Sequence, residues 1–410
     1  MKIYNAEVEA GRAGKSMWSI IKSSGLHQIA AQMAGMFGFY DVINLGKQAI
    51  EVVTELDSAF TEMRKVSDET TQSLKNYQKT TFDTANDVGT TAMQIQNSTA
   101  DWQRLGYSLD EASELAKNSN IYKNVGDMDI DEATEHMISS VQAWKSEFND
   151  AVTASEEIMN RYNKIGNEFA ISSADIGEAM ENSAAALKAG GNDLNESIGL
   201  ITAGNLIQQD ASTTASAMKI LSLRIRGAKA DLDAMGESTD DLSDSTSKMR
   251  EELKALTGVD IMKDENTFKS TAEIIQEMGK NWDKLTDVSK AAALEKLAGK
   301  NRASTVSGLI ENYETIGKVI EAAENSENSA LEENEKYLES IEGRTQKLTN
   351  QLQELASVSI KDDWIKGIIS GLTNLLDLVT KLVDKIGIVP TILSGVGIFK
   401  GIKTFSKNLA

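Results

Sequence analysis

Three aspartates at alternate positions, Asp127, Asp129 and Asp131, are followed closely by Glu132, Glu135 and His136. This spacing opens an EF-hand calcium loop, whose first ligands come from positions 1, 3 and 5. The same loop needs a turn glycine at position 6 and a bidentate glutamate at position 12. Those places hold Glu132 and Ile138, so half the ligand set is missing. Asp129 with Glu132 three residues later has instead the spacing of a capping box, in which a short acceptor and a carboxylate satisfy free N–H groups at a helix start. The stretch is read as the opening of a helix, with no metal and no cofactor assigned.

Other near-motifs fail on geometry. Gly11-Arg12-Ala13-Gly14-Lys15-Ser16 ends like a phosphate-binding loop, but two residues separate its glycines where four are needed to wrap phosphates. Leu297-Ala298-Gly299-Lys300-Asn301-Arg302 lacks the Ser or Thr after its lysine and reads as a basic helix break. His27 and His136 are the only histidines, which excludes an HExxH zinc helix, and each is expected to be solvated. Carboxylates are abundant, but no aromatic-rich cleft sequence singles out a glycosidase pair. Trp102, Trp144, Trp282 and Trp364 sit at helical spacing within apolar stripes and read as core or interface anchors. No catalytic residue is assigned.

The elements that would carry these residues follow from composition. With a single proline, 5% aromatic residues and few alternating β-branched runs, the chain is expected to be all-α with long helices. Its 410 residues exceed what one core usually serves, so several folded regions are expected. A formal net charge of −20 opposes binding to nucleic-acid phosphates, and direct DNA binding is not expected. The absence of cysteine excludes disulfides and thiolate chemistry. No signal-peptide pattern follows Met1, so synthesis in the cytoplasm is expected. Two uncharged segments do not read as membrane spans: Ser23 to Tyr40 is too polar, and Ile386 to Phe399 is shorter than the ~20 residues a bilayer needs.

Along the chain, residues 1–75 read as an N-terminal helical hairpin and 76–230 as a core of two helical quasi-repeats. Thr90-Thr91-Ala92 is echoed by Ser172-Ser173-Ala174, Gly106 by Gly191, Leu109-Asp110-Glu111-Ala112 by Leu194-Asn195-Glu196-Ser197, Asn120 by Asn205, and Asp127 by Asp210. Each unit reads as a hydroxyl cap, a helix, a glycine turn and two further capped helices. Residues 231–249, rich in Asp, Ser and Thr, read as a solvated linker, and 250–328 as a further helical segment in which Thr286 or Asp287 caps a strong helix. From 329 to 360 a heptad pattern, Leu331, Asn334, Leu338, Ile341, Thr345, Leu348, Leu352 and Leu355, predicts a coiled coil whose polar members trade stability for register. Residues 361–410 read as an amphipathic to hydrophobic C-terminal helix with an apolar stripe of Ile365, Leu372, Leu375, Val379 and Leu382.

Several blocks carry a resemblance to a known family. They are Phe60 to Ser67 (FTEMRKVS), the helix start at Thr90, Leu105 to Ala112 (LGYSLDEA), Ile207 to Ala215 (IQQDASTTA) running into Lys219 to Gly227 (KILSLRIRG), and Leu294 to Ala303 (LEKLAGKNRA). In order and spacing the chain resembles the core region of tailed-phage tape-measure proteins, especially those of phages infecting Gram-positive bacteria. Members are usually longer and often carry extended repeats or a peptidoglycan hydrolase domain, neither of which occurs within these 410 residues.

The resemblance implies a structural protein of the virion, without catalytic activity. Several copies would run along the tail lumen, scaffold assembly of the tail tube, set tail length and leave when DNA is ejected. Implied partners are the major tail-tube protein, the distal tail protein and the tail assembly chaperones. The heptads add self-association: Leu331, Leu338, Ile341, Leu348, Leu352 and Leu355 are expected to carry it. Ile365, Leu372, Leu375, Val379 and Leu382 are expected to pack against another copy, a partner or the host membrane. The alternative is a membrane-active helical protein or pore former in which Ser23 to Tyr40 and Asp363 to Phe399 insert into lipid.

Overall fold

The computed structural model describes residues 55–239, 242–243, 245–299 and 301–359. Among them the fold is all-α, as the composition predicts, apart from an isolated bridge between Met262 and Phe268. The chain divides into two compact units: residues 62–90 with 94–346, and residues 1–61, 91–93 and 347–410. Within the described part of the latter, the Ala92 N–H donates to Asn350 Oδ1 at 3.0 Å.

The larger unit is a stack of short helices: α1 (Thr71–Val88), α2 (Ala92–Arg104, from residue 94), α3 (Leu109–Gly126), α4 (Ile130–Trp144), α5 (Ala151–Glu168), α6 (Ser173–Ala189), α7 (Leu194–Gln208) and α8 (Ala211–Ile225). There follow α9 (Lys229–Ala234), α10 (Thr246–Thr257), α11 (Thr271–Trp282), α12 (Asp287–Ala298), α13 (Ala303–Glu311), α14 (Tyr313–Glu324), α15 (Ser329–Glu339) and the start of α16 (Ile341–Ser359). Helix α6 packs against both α4 and α8, α3 against α4, α5 and α15, and α7 against α8, α13 and α14. One core runs through them, anchored by Trp102, Trp144 and Trp282. Trp364 lies outside the described residues. The helices fold back on one another, so residue number does not convert into distance along a single rod in this unit.

Local signals explain the segmentation. Gly106 (φ 88°) and Gly191 (φ 76°) take the left-handed conformation that glycine adopts without strain. Two residues beyond each lies a capping box, Ser108 with Glu111 and Asp193 with Glu196. Buried Asn120 and Asn205 then occupy matching places on α3 and α7. Thr286 caps α12 as expected, accepting from the Ser289 N–H, and Gly299 ends that helix at φ 63°. In order, α1 to α4 are followed by α5 to α8, and the sequence echoes fall on α2 to α4 and α6 to α8.

The aspartate stretch requires two corrections. Asp127 closes α3 in the left-handed conformation (φ 51°), as Gln209 does for α7 (φ 50°), so the counterpart of Asp210 is Asp129 rather than Asp127. The second connection is shorter by one residue, which hid this register. Asp129 occupies the N-cap of α4 but makes no side-chain cap hydrogen bond, so the capping box with Glu132 does not form. Asp131 and Glu132 instead put negative charge in the first turn, where the helix dipole favours it. Within 231–249, Leu232, Leu242 and Met249 are buried, so three widely spaced apolar residues anchor a stretch whose composition reads as solvated.

His136 is also not solvated. It is buried between α4 and α6, with Nδ1 unpartnered and Nε2 3.5 Å from Glu181 Oε2. Gly177 on α6 makes this approach possible, since a Cβ there would collide with the Tyr122 hydroxyl and the His136 ring. Burial lowers the His136 pKa from 6.5 to about 4. The unfolded chain therefore binds a proton that the folded one refuses, and stability falls as pH drops through that window. Glu178 and Glu181 have raised pKa values, chiefly through burial, and act in the opposite sense. The comparison of the protein with His136→Gln isolates the histidine. Urea denaturation from pH 7 to pH 4 is expected to cost the native protein about 3 kcal/mol more than the variant. Parallel pH profiles would show that His136 titrates alike in both states.

Candidate functional site

Of residues 329–360, where the sequence places self-association, α15 docks on the chain's own helices in part through asparagines. Helix α3 presents Asn124, and α5 presents Asn160 and Asn163 on one face. Asn124 Nδ2 donates to Asn334 Oδ1 and to the Val88 carbonyl, both at 2.8 Å. Asn334 Nδ2 donates to the same carbonyl at 3.3 Å. Val88 ends α1, where a C=O has no partner in its own helix, so two side chains complete it. At the other end of α15, Asn328 supplies no side-chain cap. The Ala330 N–H donates to Asn160 Oδ1 at 3.0 Å, and Asn163 Nδ2 donates to the Ser329 carbonyl at 2.9 Å. Helix α5 thus supplies the start of α15, and α3 and α15 together supply the end of α1.

Such a seam is specified by matching of donors and acceptors. Each bond contributes about 1 kcal/mol net, whereas a buried amide left unpaired costs about 1–3 kcal/mol. Apolar contacts flank these bonds: Ala330 is buried, Leu331 packs on the core half-buried, and Leu338 with Tyr337 lies over Gly89. Burial raises the Tyr337 pKa, and its hydroxyl is buried without a partner. Burial also lowers the pKa of Lys123 on α3, against the attraction of Glu342 and Asp129.

The predicted stripe divides at this site. Leu331, Asn334 and Leu338 face the chain's own core, and α15 stops at Glu339. Ser340 is extended (ψ 164°) and its hydroxyl accepts from the Gly343 N–H at 3.0 Å, starting α16. Ile341, the next heptad position, is 87% exposed. The side chains of Leu348, Leu352 and Leu355, and all of Ile365, Leu372, Leu375, Val379 and Leu382, lie outside the described residues. Sequence reading missed Asn124, Asn160 and Asn163. Their signal is an amide recurring within the apolar stripe of a helix, as Asn160 and Asn163 do beside Ile158, Met159, Tyr162 and Ile165.

Around the aspartates, Asp127 ends α3, Asp129 sits at the N-cap position of α4 without a cap bond, and Asp131 places charge in its first turn. Among the described residues no group of three or more His, Asp or Glu is placed to hold a metal ion. No described helix is long and apolar enough to cross a membrane. His27 and Gly11 to Ser16 lie outside the described residues.

No solved structure matches the chain. The profile of the phage-related minor tail proteins does, over residues 78–299, more than half of the sequence and nearly all of α1 to α12. That span contains the capped helices α3 and α7 and the α8 block that shares in the resemblance seen in sequence. The chain is therefore a member of the phage-related minor tail protein family, a structural component of a phage tail.

Proposed function

We propose that this tail protein is of the tape-measure type: several copies scaffold polymerisation of the tail tube, set its length, and leave the lumen when DNA is ejected. The observation that carries the reading is the family match over the packed repeats, followed in sequence by heptads from Leu331. The packed unit adds little length, so a ruler built on this chain takes its proportionality from uninterrupted helix, at ~1.5 Å per residue. In this reading the packed unit acts as a module that recognises other tail components, with the major tail-tube protein, the distal tail protein and the assembly chaperones as partners. A net charge of −20 suits a lumen through which DNA must later pass without sticking. The role needs no catalytic site.

Self-association is proposed to run through Ile341 and the heptad positions after it, with Leu331 and Leu338 joining when α15 is free. The second reading places the stripe from Ile365 to Leu382 in the host membrane. It rests on the apolar spacing of that stripe.

Two measurements test these readings. An in-frame deletion of residues 341–354 in the parent phage is expected to shorten the mean tail length, seen by electron microscopy, by ~20 Å. An unchanged length distribution counts against the ruler. Liposome flotation of the full chain, with and without residues 361–410, addresses the membrane reading. Flotation that depends on that segment is expected if it inserts, and its absence removes the reading.

A further inference from the structure

We infer that α15 is a latch. Docked on α3 and α5, it keeps the stripe of Leu331, Asn334 and Leu338 from a second copy of this chain, and its release exposes that stripe for pairing between copies. The inference rests on the self-association reading above.

Four observations carry it. First, the stripe that heptad spacing assigns to a partner helix is the one turned toward the chain's own core: Leu331 packs on it, Asn334 bonds to Asn124 and Val88, and Leu338 covers Gly89. One helix face serves one partner at a time. Second, the seam includes a set of amide and carbonyl hydrogen bonds, which water can replace on release. A purely apolar seam would have no such substitute. Third, the first turn of α15 depends on its dock, because Asn328 gives it no cap and Asn160 does. Undocking therefore also loosens the start of the helix. Fourth, only Ser340 separates α15 from α16, and Leu338 and Ile341 on either side keep the three-residue heptad step. If Ser340 turns helical, the two helices become one with the stripe in register.

A second copy is the fitting occupant because Asn334 lies within the stripe. A polar residue at a core heptad position is best satisfied by its own counterpart on a like helix, which also fixes register.

The chain has no cysteine, which makes the test clean. Asn163 Nδ2 and Ser329 Oγ are 2.9 Å apart, so Asn163→Cys with Ser329→Cys place one thiol on each side of this seam, and their bridge, a disulfide or a short thiol-reactive cross-link verified by mass before measurement, pins α15 to α5. Molar mass by light scattering across a concentration series, and amide hydrogen exchange over residues 329–339, are measured oxidised and reduced. The reduced protein is expected to self-associate. The oxidised protein is expected to stay monomeric to at least about tenfold higher concentration, with correspondingly slower exchange in α15. Equal association in both forms overturns the latch and leaves the self-association reading standing. No association in either form overturns both. Asn160→Ala, which loosens the dock without touching the stripe, gives a second arm free of the disulfide. It is expected to move association to several-fold lower concentration, and an unmoved or raised midpoint overturns the latch.

Discussion

A helix leaves its first four N–H groups and last four C=O groups without partners of its own, and a bundle of short helices multiplies those ends. Much of the specificity of this fold lies in how they are supplied. Fully buried Arg224 at the end of α8 donates to the Lys296 carbonyl at 2.8 Å and to those of Glu295 and Ser238 at 3.2 Å, closing α12. Arg226 does the same for α6 through the Ala189 and Gly190 carbonyls, and its guanidinium lies 4.3 Å from the Phe268 ring centre. Asn124, Asn160 and Asn334 serve α1 and α15. Because these side chains are bonded across helices, each end also fixes which neighbour it meets, which apolar packing alone does loosely.

Much of this was legible in the sequence where the signal is local. The all-α class follows from composition, the glycine turns at Gly106 and Gly191 from their echo, and the cap at Thr286 from its residue type. What escaped was set by tertiary partners. Nothing near His136 in sequence says that Gly177, on another helix, lets the ring be buried. Asp129 and Asp127 are both plausible caps by type, and only the left-handed turn at Asp127 decides between them. The heptads from Leu331 are real in the sequence, but spacing reports that a stripe will be buried and not what buries it. Ser340 carries no breaking signal. Its corner comes from the docking of α15 and from Gly343, which sits so close to the Tyr337 carbonyl that a side chain there would collide.

Family membership and fold together constrain what the chain can be in a tail. A packed module of capped repeats is suited to contacting other proteins, whereas length is encoded more simply by continuous helix. On the proposed reading the molecule holds both, and α15 lies at the junction, with one face shared between the module and the heptads. The acidic charge is consistent with that reading, since a net charge of −20 opposes contact with DNA.

The central claim is that this chain is a resident of the phage tail that departs with the genome. Quantitative mass spectrometry of purified tails, before and after DNA release, measures this directly. The account predicts peptides from residues 78–299 in intact tails at a few copies for each tail, far below the tube protein, and their loss once DNA has left. Tails of normal length that lack the chain before release, or that keep all of it afterwards, would contradict the account.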